Sequence, residues 1–254
     1  LSWGWRIPFL LSSVLVLLGL WIRKDIDETP EFKKVKSSGK VAKAPLRDTL
    51  KYHWREVLIA AGLKVVETAP FYIFSTFVVS YATTTLSYQK SQALEAVTLG
   101  ALVATIMIPL MGLLSDKVGR QRMYAVSVFT LGLFIVPWFM LLNTGTTWGI
   151  VLATVIAFGV LWAPVTAVLG TLCSEIFTAN VRYTGITLGY QLGAALAGGT
   201  APLIATGLLA KYNGDWVPVA WYLAVTVTIS LIAIFFASRV KRAAPAINAQ
   251  TNEL

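Results

Sequence analysis

Two charged side chains, Lys64 and Glu67, lie inside a long apolar stretch that runs from Val57 to about Ala82. A helix of this length is long enough to cross a lipid bilayer at about 1.5 Å per residue. The i, i+3 spacing places both side chains on one face of such a helix. A charge in the hydrocarbon region costs at least about 2.5 kcal/mol, so charges there usually face a polar cavity. The pair therefore predicts a pathway through a membrane.

The chemistry open to this pair is proton exchange and the binding of an anion. Burial disfavours the charged form of a carboxylic acid, whereas a neighbouring ammonium group favours it. We hypothesise that Glu67 is a proton-coupling or substrate-contacting carboxylate and that Lys64 is its partner or an anion-binding group. An anionic substrate that reached Lys64 would release Glu67 to take up a proton. The alternative is a permanent ion pair that holds this helix against a neighbour.

The composition predicts a helical membrane protein. Hydrophobic residues form 56% of the 254 positions and charged residues only 13%, about half the share of a typical soluble domain. The single cysteine, Cys173, excludes an intrachain disulfide, and with His53 as the one histidine we predict no metal site and no cofactor. No H-E-x-x-H or P-loop pattern points to an enzyme. The chain begins at Leu1 without a methionine, which we interpret as the loss of an upstream part.

Seven apolar segments between polar connections are predicted to be membrane spans. They are roughly Trp5–Ile22, Val57–Ala82, Ala93–Ser115, Met123–Leu142, Trp148–Leu172, Thr184–Ala210 and Val217–Ser238. The connections on one side carry seventeen Lys and Arg and those on the other side three, which places the C-terminus in the cytoplasm. Because these cations are spread over loops without interleaved aromatic residues, no nucleic-acid partner is predicted.

The same pattern predicts the domain organisation. Residues 1–22 form a transmembrane helix, 23–55 a basic cytoplasmic loop, 56–238 a bundle of six helices, and 239–254 a cytoplasmic tail. The sixth predicted span carries small residues at four-residue spacing, which favours close contact with another helix. They are Gly185, Gly189, Gly193, Ala197, Ala201 and Ala205. Candidates for the lining of a central cavity are Tyr190 and Gln191 on other faces of that helix, together with Tyr72 and Trp162.

Two polar connections carry charges of both signs at predicted helix ends. Residues 112–122 read GLLSDKVGRQR, and residues 174–185 read SEIFTANVRYTG. The first matches the pattern G-x-L-[SA]-D-[KR]-x-G-R-[KR]-[KR], the loop signature of the major facilitator superfamily, except at Gln121. On these residues the chain is identified as a member of that superfamily.

Further segments resemble the metabolite:proton symporter family within the superfamily. They are residues 3–9 (WGWRIPF), residues 27–32 (DETPEF) and the second polar connection. The resemblance covers Leu1 to about Val240. It implies an all-α membrane protein with the major facilitator fold, whose seven transmembrane helices correspond to helices 6–12 of that family's twelve.

The resemblance also implies a function and a gate. Members of the family import organic acids such as α-ketoglutarate, citrate and shikimate, or zwitterions such as proline and betaine, together with protons. We therefore expect proton-coupled uptake of a small organic acid or zwitterionic metabolite across the inner membrane, with no cofactor. Four residues are expected to lock the cytoplasmic side of the transporter, namely Asp116, Arg120, Glu175 and Arg182. The alternative for them is exposed loop charges, each worth under about 1 kcal/mol.

Two other functions stay open from the sequence. A proton-coupled exporter of the same superfamily would also carry charges inside the membrane, and a membrane receptor could retain the fold without moving a substrate. The missing N-terminal half of the same polypeptide is expected to supply further coupling residues, because such folds place the substrate between two halves. The chain alone is therefore not expected to transport.

Overall fold

The computed structural model describes residues 3–25, 45–178 and 181–240, and these residues form helices and no strand. The helices are α1 (Ile7–Asp25), α2 (Pro45–Tyr52), α3 (Trp54–Thr84), α4 (Lys90–Val118), α5 (Arg120–Leu142), α6 (Thr147–Ile176), α7 (Arg182–Lys211) and α8 (Val217–Ala237). The helix α1 belongs to a first unit, Leu1–Val41, and the other helices belong to a second unit, Ala42–Leu254. The segment 27–32, most of the basic loop and most of the predicted tail lie outside the described residues.

Six of these helices, α3 to α8, are long and apolar enough to cross a membrane. They match six of the seven predicted spans and extend beyond them at several ends, because polar residues at the membrane surface continue the helical hydrogen bonding. The first predicted span corresponds to α1, in which the apolar helix Phe9–Ile22 is shorter than the other six. Its crossing of the membrane stays a prediction.

The helix α3, which carries the charged pair, lies at the centre of the second unit. It packs against α6, α7 and α8. Over half of the residues in its most apolar 18-residue stretch are buried. In contrast, only 11% of the residues in the most apolar 18-residue stretch of α4 are buried, and Leu113 of α4 is 68% exposed. Apolar exposure of this kind is the expected surface of a helix that faces lipid. The charged pair therefore lies on one of the two most enclosed helices, the other being α6.

Small residues of α7 explain how it approaches α3 so closely. A Cβ atom placed on Gly189 would lie 2.5 Å from the Cβ of Ala60, and one placed on Gly193 would lie 2.5 Å from the carbonyl oxygen of Ala61. Both distances are shorter than side-chain atoms can tolerate. The predicted close helix contact is confirmed, and α3 is the partner helix.

Three spans widen into a π-helical turn near a proline. These turns are Ile73–Phe77 in α3, Val155–Leu161 in α6 and Ala194–Gly198 in α7. Proline has no N–H to donate, so a carbonyl one turn earlier loses its usual partner. The backbone compensates with longer-range bonds, for example from the Trp162 N–H to the Ala157 carbonyl at 3.0 Å. Such turns are frequent at functional sites.

Candidate functional site

Lys64 and Glu67 form an ion pair between Lys64 Nζ and Glu67 Oε2. Their side chains are only 17% and 13% exposed. At 1.5 Å per residue, Glu67 lies about 20 Å along α3 from its first residue, Trp54, so a hydrocarbon layer about 30 Å thick that begins near Trp54 would enclose it. The i, i+3 spacing brings the two charges together as the sequence predicts.

Polar groups from three helices surround this ion pair. The Thr68 hydroxyl donates to Glu67 Oε2 over 2.9 Å, and the Thr166 hydroxyl of α6 lies 3.5 Å from Glu67 Oε1. The ammonium of Lys64 lies 4.8 Å from the ring centroid of Tyr190 on α7, a cation–π distance. Both charges therefore have neutral neighbours that stabilise them. The pair lies where α3, α6 and α7 meet.

The backbone of α3 around the pair is held by side chains of other helices. The Tyr124 hydroxyl of α5 donates to the Leu63 carbonyl over 2.6 Å, and Trp162 Nε1 of α6 donates to the Glu67 carbonyl over 2.6 Å. Tyr124 and Trp162 are both buried. These two donors fix the turn of α3 from which Lys64 and Glu67 project.

Ser230 of α8 is inserted into the helical ladder of α3 at the same turn. Its hydroxyl donates to the Gly62 carbonyl over 2.6 Å and accepts a hydrogen bond from the Val66 N–H over 3.1 Å. In an uninterrupted helix those two backbone groups would bond to each other. One turn further on, Pro70 provides no N–H for the Val66 carbonyl. The charged turn thus receives tertiary hydrogen bonds from α5, α6 and α8 in addition to the bonds within its own helix.

The structure brings some of the predicted site residues to the pair and leaves others apart. Trp162 and Tyr190 contact α3 at the pair, as described above. Tyr72 is 37% exposed, and its ring packs edge to face on Phe71 at 5.4 Å. Gln191 is exposed, and within the described part of the chain the side chains of Tyr72 and Gln191 form no hydrogen bond.

Sequence reasoning missed Ser230, Tyr124 and Thr166. All three are polar side chains within apolar spans, which is a signal in itself, because polar groups inside a membrane need a partner. Their periodicity alone does not identify that partner. The described residues contain no cluster of His, Cys, Asp and Glu that could hold a metal ion.

The two polar connections meet at one end of the bundle. Arg120 Nη1 lies 2.5 Å from Glu175 Oε1 of α6, and Arg120 Nη2 lies 3.2 Å from Asp116 Oδ1 of α4. Gly119 forms the turn between α4 and α5. Its φ of 94° is a backbone conformation that is strained for residues other than glycine. Arg182 donates from Nε to the Phe177 carbonyl over 3.4 Å. The geometry thus joins three of the four predicted gate residues in one cluster.

The fold and the site define a multi-pass helical membrane protein with a charged pair inside its bundle. Comparison with known families makes this specific. A family model described as Major Facilitator Superfamily matches residues 1–198 and 71–253. The chain belongs to the Major Facilitator Superfamily, and the resemblance predicted from the loop signature is confirmed.

Several curated proteins are similar over nearly the whole chain. The shikimate transporter of Escherichia coli (strain K12) is 32% identical over 245 residues, which cover 96% of this chain and 56% of the relative. The inner membrane metabolite transport protein YhjE of the same strain is 30% identical, over 92% of this chain and 54% of the relative. The proline/betaine transporter of Salmonella typhimurium is 27% identical, over 91% and 48%.

The chain spans about half the length of the curated relatives it matches. No solved structure matches it significantly.

Proposed function

We propose that the protein acts in proton-coupled uptake of a small organic acid or zwitterionic metabolite across a bacterial inner membrane. The observation that carries this proposal is the ion pair between Lys64 and Glu67, enclosed in the bundle at membrane depth. An ion pair there is costly to desolvate and gives little net stability. Its presence inside the bundle therefore favours a functional role. The relatives, which include a shikimate transporter and a proline/betaine transporter, support the same class of substrate.

The mechanism follows from competition for Lys64. A substrate carboxylate that binds the ammonium group replaces Glu67 as its counterion. The carboxylate of Glu67 is then buried without a cation, which favours uptake of a proton. The Thr68 and Thr166 hydroxyls, which approach the two carboxylate oxygens, can donate to the charged form and accept from the protonated form. Binding of the substrate and binding of the proton are thereby coupled.

The loop cluster of Asp116, Arg120 and Glu175, with Arg182 nearby, is the proposed gate on the cytoplasmic side. Arg120 joins the connection between α4 and α5 to the end of α6. Breaking one exposed ion pair costs about 1 kcal/mol or less, so a gate of this kind can open and close readily. This assignment places the C-terminus in the cytoplasm. The proposed substrate site lies between this bundle and an N-terminal half of the same polypeptide.

The experiment that tests this function is uptake into proteoliposomes that contain the full-length protein. An inward proton gradient is imposed, and labelled shikimate, α-ketoglutarate, proline and betaine are compared. Uptake that requires the gradient and is lost in Glu67→Gln supports proton coupling at this site. The matched control is Glu95→Gln, because Glu95 lies exposed on α4.

Other outcomes separate the remaining functions. Uptake that persists in Glu67→Gln would leave the transporter proposal intact and make the pair a structural one. Substrate movement against the direction of the proton gradient would favour the exporter. Binding of a solute without any movement would favour the receptor.

A further inference from the structure

A groove opens between the start of α3 and the end of α8. The two helices approach most closely where a Cβ atom on Gly62 would lie 2.8 Å from the Cβ of Ala233. From that contact toward Trp54 of α3 and Arg239 after α8, they border a groove of about 630 Å³. It is separate from the charged pair, which lies beyond the Gly62 contact. No step of the proposed transport mechanism uses it.

The walls of this groove are apolar and lie on the outer surface of the bundle. Leu58 of α3 is 57% exposed and Phe236 of α8 is 50% exposed. Both lie within or next to spans that cross the membrane, so their exposed surface faces acyl chains. A hydrocarbon chain laid along the groove would cover these side chains without displacing protein.

The rim of the groove carries two arginines held against aromatic rings. The guanidinium of Arg55 lies 5.4 Å from the ring centroid of Trp54, and that of Arg239 lies 4.2 Å from the ring of Phe235. Neither arginine pairs with a carboxylate among residues 3–25, 45–178 and 181–240. A guanidinium stacked on a ring keeps its planar fork of N–H donors free, and that fork suits the oxygens of a phosphate group.

The third charged group at the rim is Glu56, which lies beside a histidine. Glu56 Oε1 lies 3.8 Å from His53 Nδ1, and its side chain is 23% exposed. With two guanidinium groups and one carboxylate, the rim carries a net positive charge whether or not the histidine is protonated. Trp54, at the junction of the charged rim and the apolar wall, is a residue type typical of the membrane interface.

We infer that this groove binds one anionic phospholipid. Its phosphate lies between Arg55 and Arg239, and one acyl chain lies along Leu58 and Phe236. The combination selects a lipid over a soluble anion, because the cations and the apolar wall are contiguous at the end of two membrane-crossing helices. The charge distribution of the loops predicts that this end faces the cytoplasm, and cytoplasmic leaflets supply anionic lipids.

Native mass spectrometry of the protein in a neutral detergent tests the proposal. Phosphatidylglycerol and phosphatidylcholine with identical acyl chains are titrated, and the dissociation constant of the first bound lipid is measured for each. We expect phosphatidylglycerol to bind about tenfold to thirtyfold more tightly than phosphatidylcholine, as two interfacial cations would provide. The double variant Arg55→Gln/Arg239→Gln should lose that difference.

The matched control is Lys90→Gln/Lys211→Gln. It removes two exposed cations, one at the start of α4 and one at the end of α7. It should keep the preference for phosphatidylglycerol. Arg55→Lys/Arg239→Lys keeps the charge but not the planar fork, so it should bind phosphatidylglycerol more weakly than the unaltered protein. It replaces the glutamine variant if that variant does not fold, and unchanged affinity would contradict a phosphate held by the two guanidinium groups.

Three outcomes would overturn the proposal. They are equal affinity of the unaltered protein for the two lipids, an equal loss in the Lys90/Lys211 control, and displacement of the lipid by glycerophosphoglycerol, which has no acyl chain. The last outcome would show that the groove binds a soluble phosphate and that its apolar wall contributes nothing. None of these measurements depends on transport.

Discussion

The chain contains two clusters of opposite charges, and their surroundings differ. Lys64 and Glu67 are mostly buried, belong to one helix and are enclosed by hydroxyl groups and an aromatic ring. Arg120 joins Asp116 and Glu175 from three different helices, and the three side chains are 35%, 60% and 28% exposed. Water screens the second cluster, whereas the first cannot lose a partner without leaving a buried charge. The inner pair thus suits coupling to a bound ligand, and the outer cluster suits reversible contact between helix ends.

Lys64→Met is expected to cause the largest loss of stability, which would distinguish the buried pair from the exposed cluster. Removal of one partner of a buried pair leaves an uncompensated charge on Glu67, which typically costs 3–5 kcal/mol of stability. The measurement is the thermal unfolding of the detergent-purified protein. The double variant Lys64→Met/Glu67→Gln should recover most of the loss, because it removes both charges. Equal losses in the single and double variants would contradict the pairing.

A second effect is expected at the contact that places α7 against the pair. A Cβ atom on Gly193 would lie 2.5 Å from the Ala61 carbonyl oxygen and 2.7 Å from the Cβ of Lys64. Gly193→Ala should therefore destabilise the protein by about 1–3 kcal/mol, as overpacking does. Gly207 on the same helix has no atom within 4 Å of an added Cβ, so Gly207→Ala is the matched control. A similar loss in both variants would mean that the close approach to α3 is not the cause.

A smaller effect is expected from Ser230→Ala, which removes the hydroxyl between Gly62 and Val66. Hydrogen bonds between membrane helices contribute about 0.6 kcal/mol on average and up to about 1.7, and the two backbone groups can pair with each other instead. We expect a loss of about 1 kcal/mol in unfolding experiments. Thr228 of α8 donates to the Ala224 carbonyl within its own helix, so Thr228→Ala should have almost no effect. If Ser230→Ala is as stable as this control, the Ser230 hydroxyl does not contribute to the stability of the fold.

The smallest effect on stability is expected at the exposed cluster. Arg120→Gln should change the free energy of unfolding by under about 1 kcal/mol, and added salt should reduce even that difference. The comparison is with Arg122→Gln, which removes an exposed charge nearby. A loss for Arg120→Gln as large as that for Lys64→Met would remove the distinction between the two clusters.

Much of this arrangement is predictable from local sequence. The spans follow from runs of apolar residues, since a chain in lipid must satisfy its backbone within each helix. The contact between Lys64 and Glu67 follows from helical periodicity, and the link between Asp116 and Arg120 follows from spacing across a glycine turn. The loop signature indicated the superfamily, which the family comparison confirms.

The partners of the charged turn could not be predicted in this way. Ser230 lies 164 positions from Val66 and Tyr124 lies 61 positions from Leu63. In sequence they are isolated polar residues in apolar spans, as are Thr130 and Thr228, which bond within their own helices. Tyr72 and Gln191, in contrast, were predicted to lie near the pair, but their side chains do not form hydrogen bonds with it.

The sequence by itself determined which segments are helices, which charges share a helix face and which loop carries the superfamily signature. These properties depend on interactions within a few residues along one helix or one turn. Only the tertiary structure decided that α5, α6 and α8 donate hydrogen bonds to the backbone of α3, that α7 packs on it through glycines, and that Arg55 and Arg239 border one groove. The physical reason is that helix packing in a membrane depends on shape and on hydrogen bonds between distant residues, and hydropathy, which defines the spans, is nearly the same on every face.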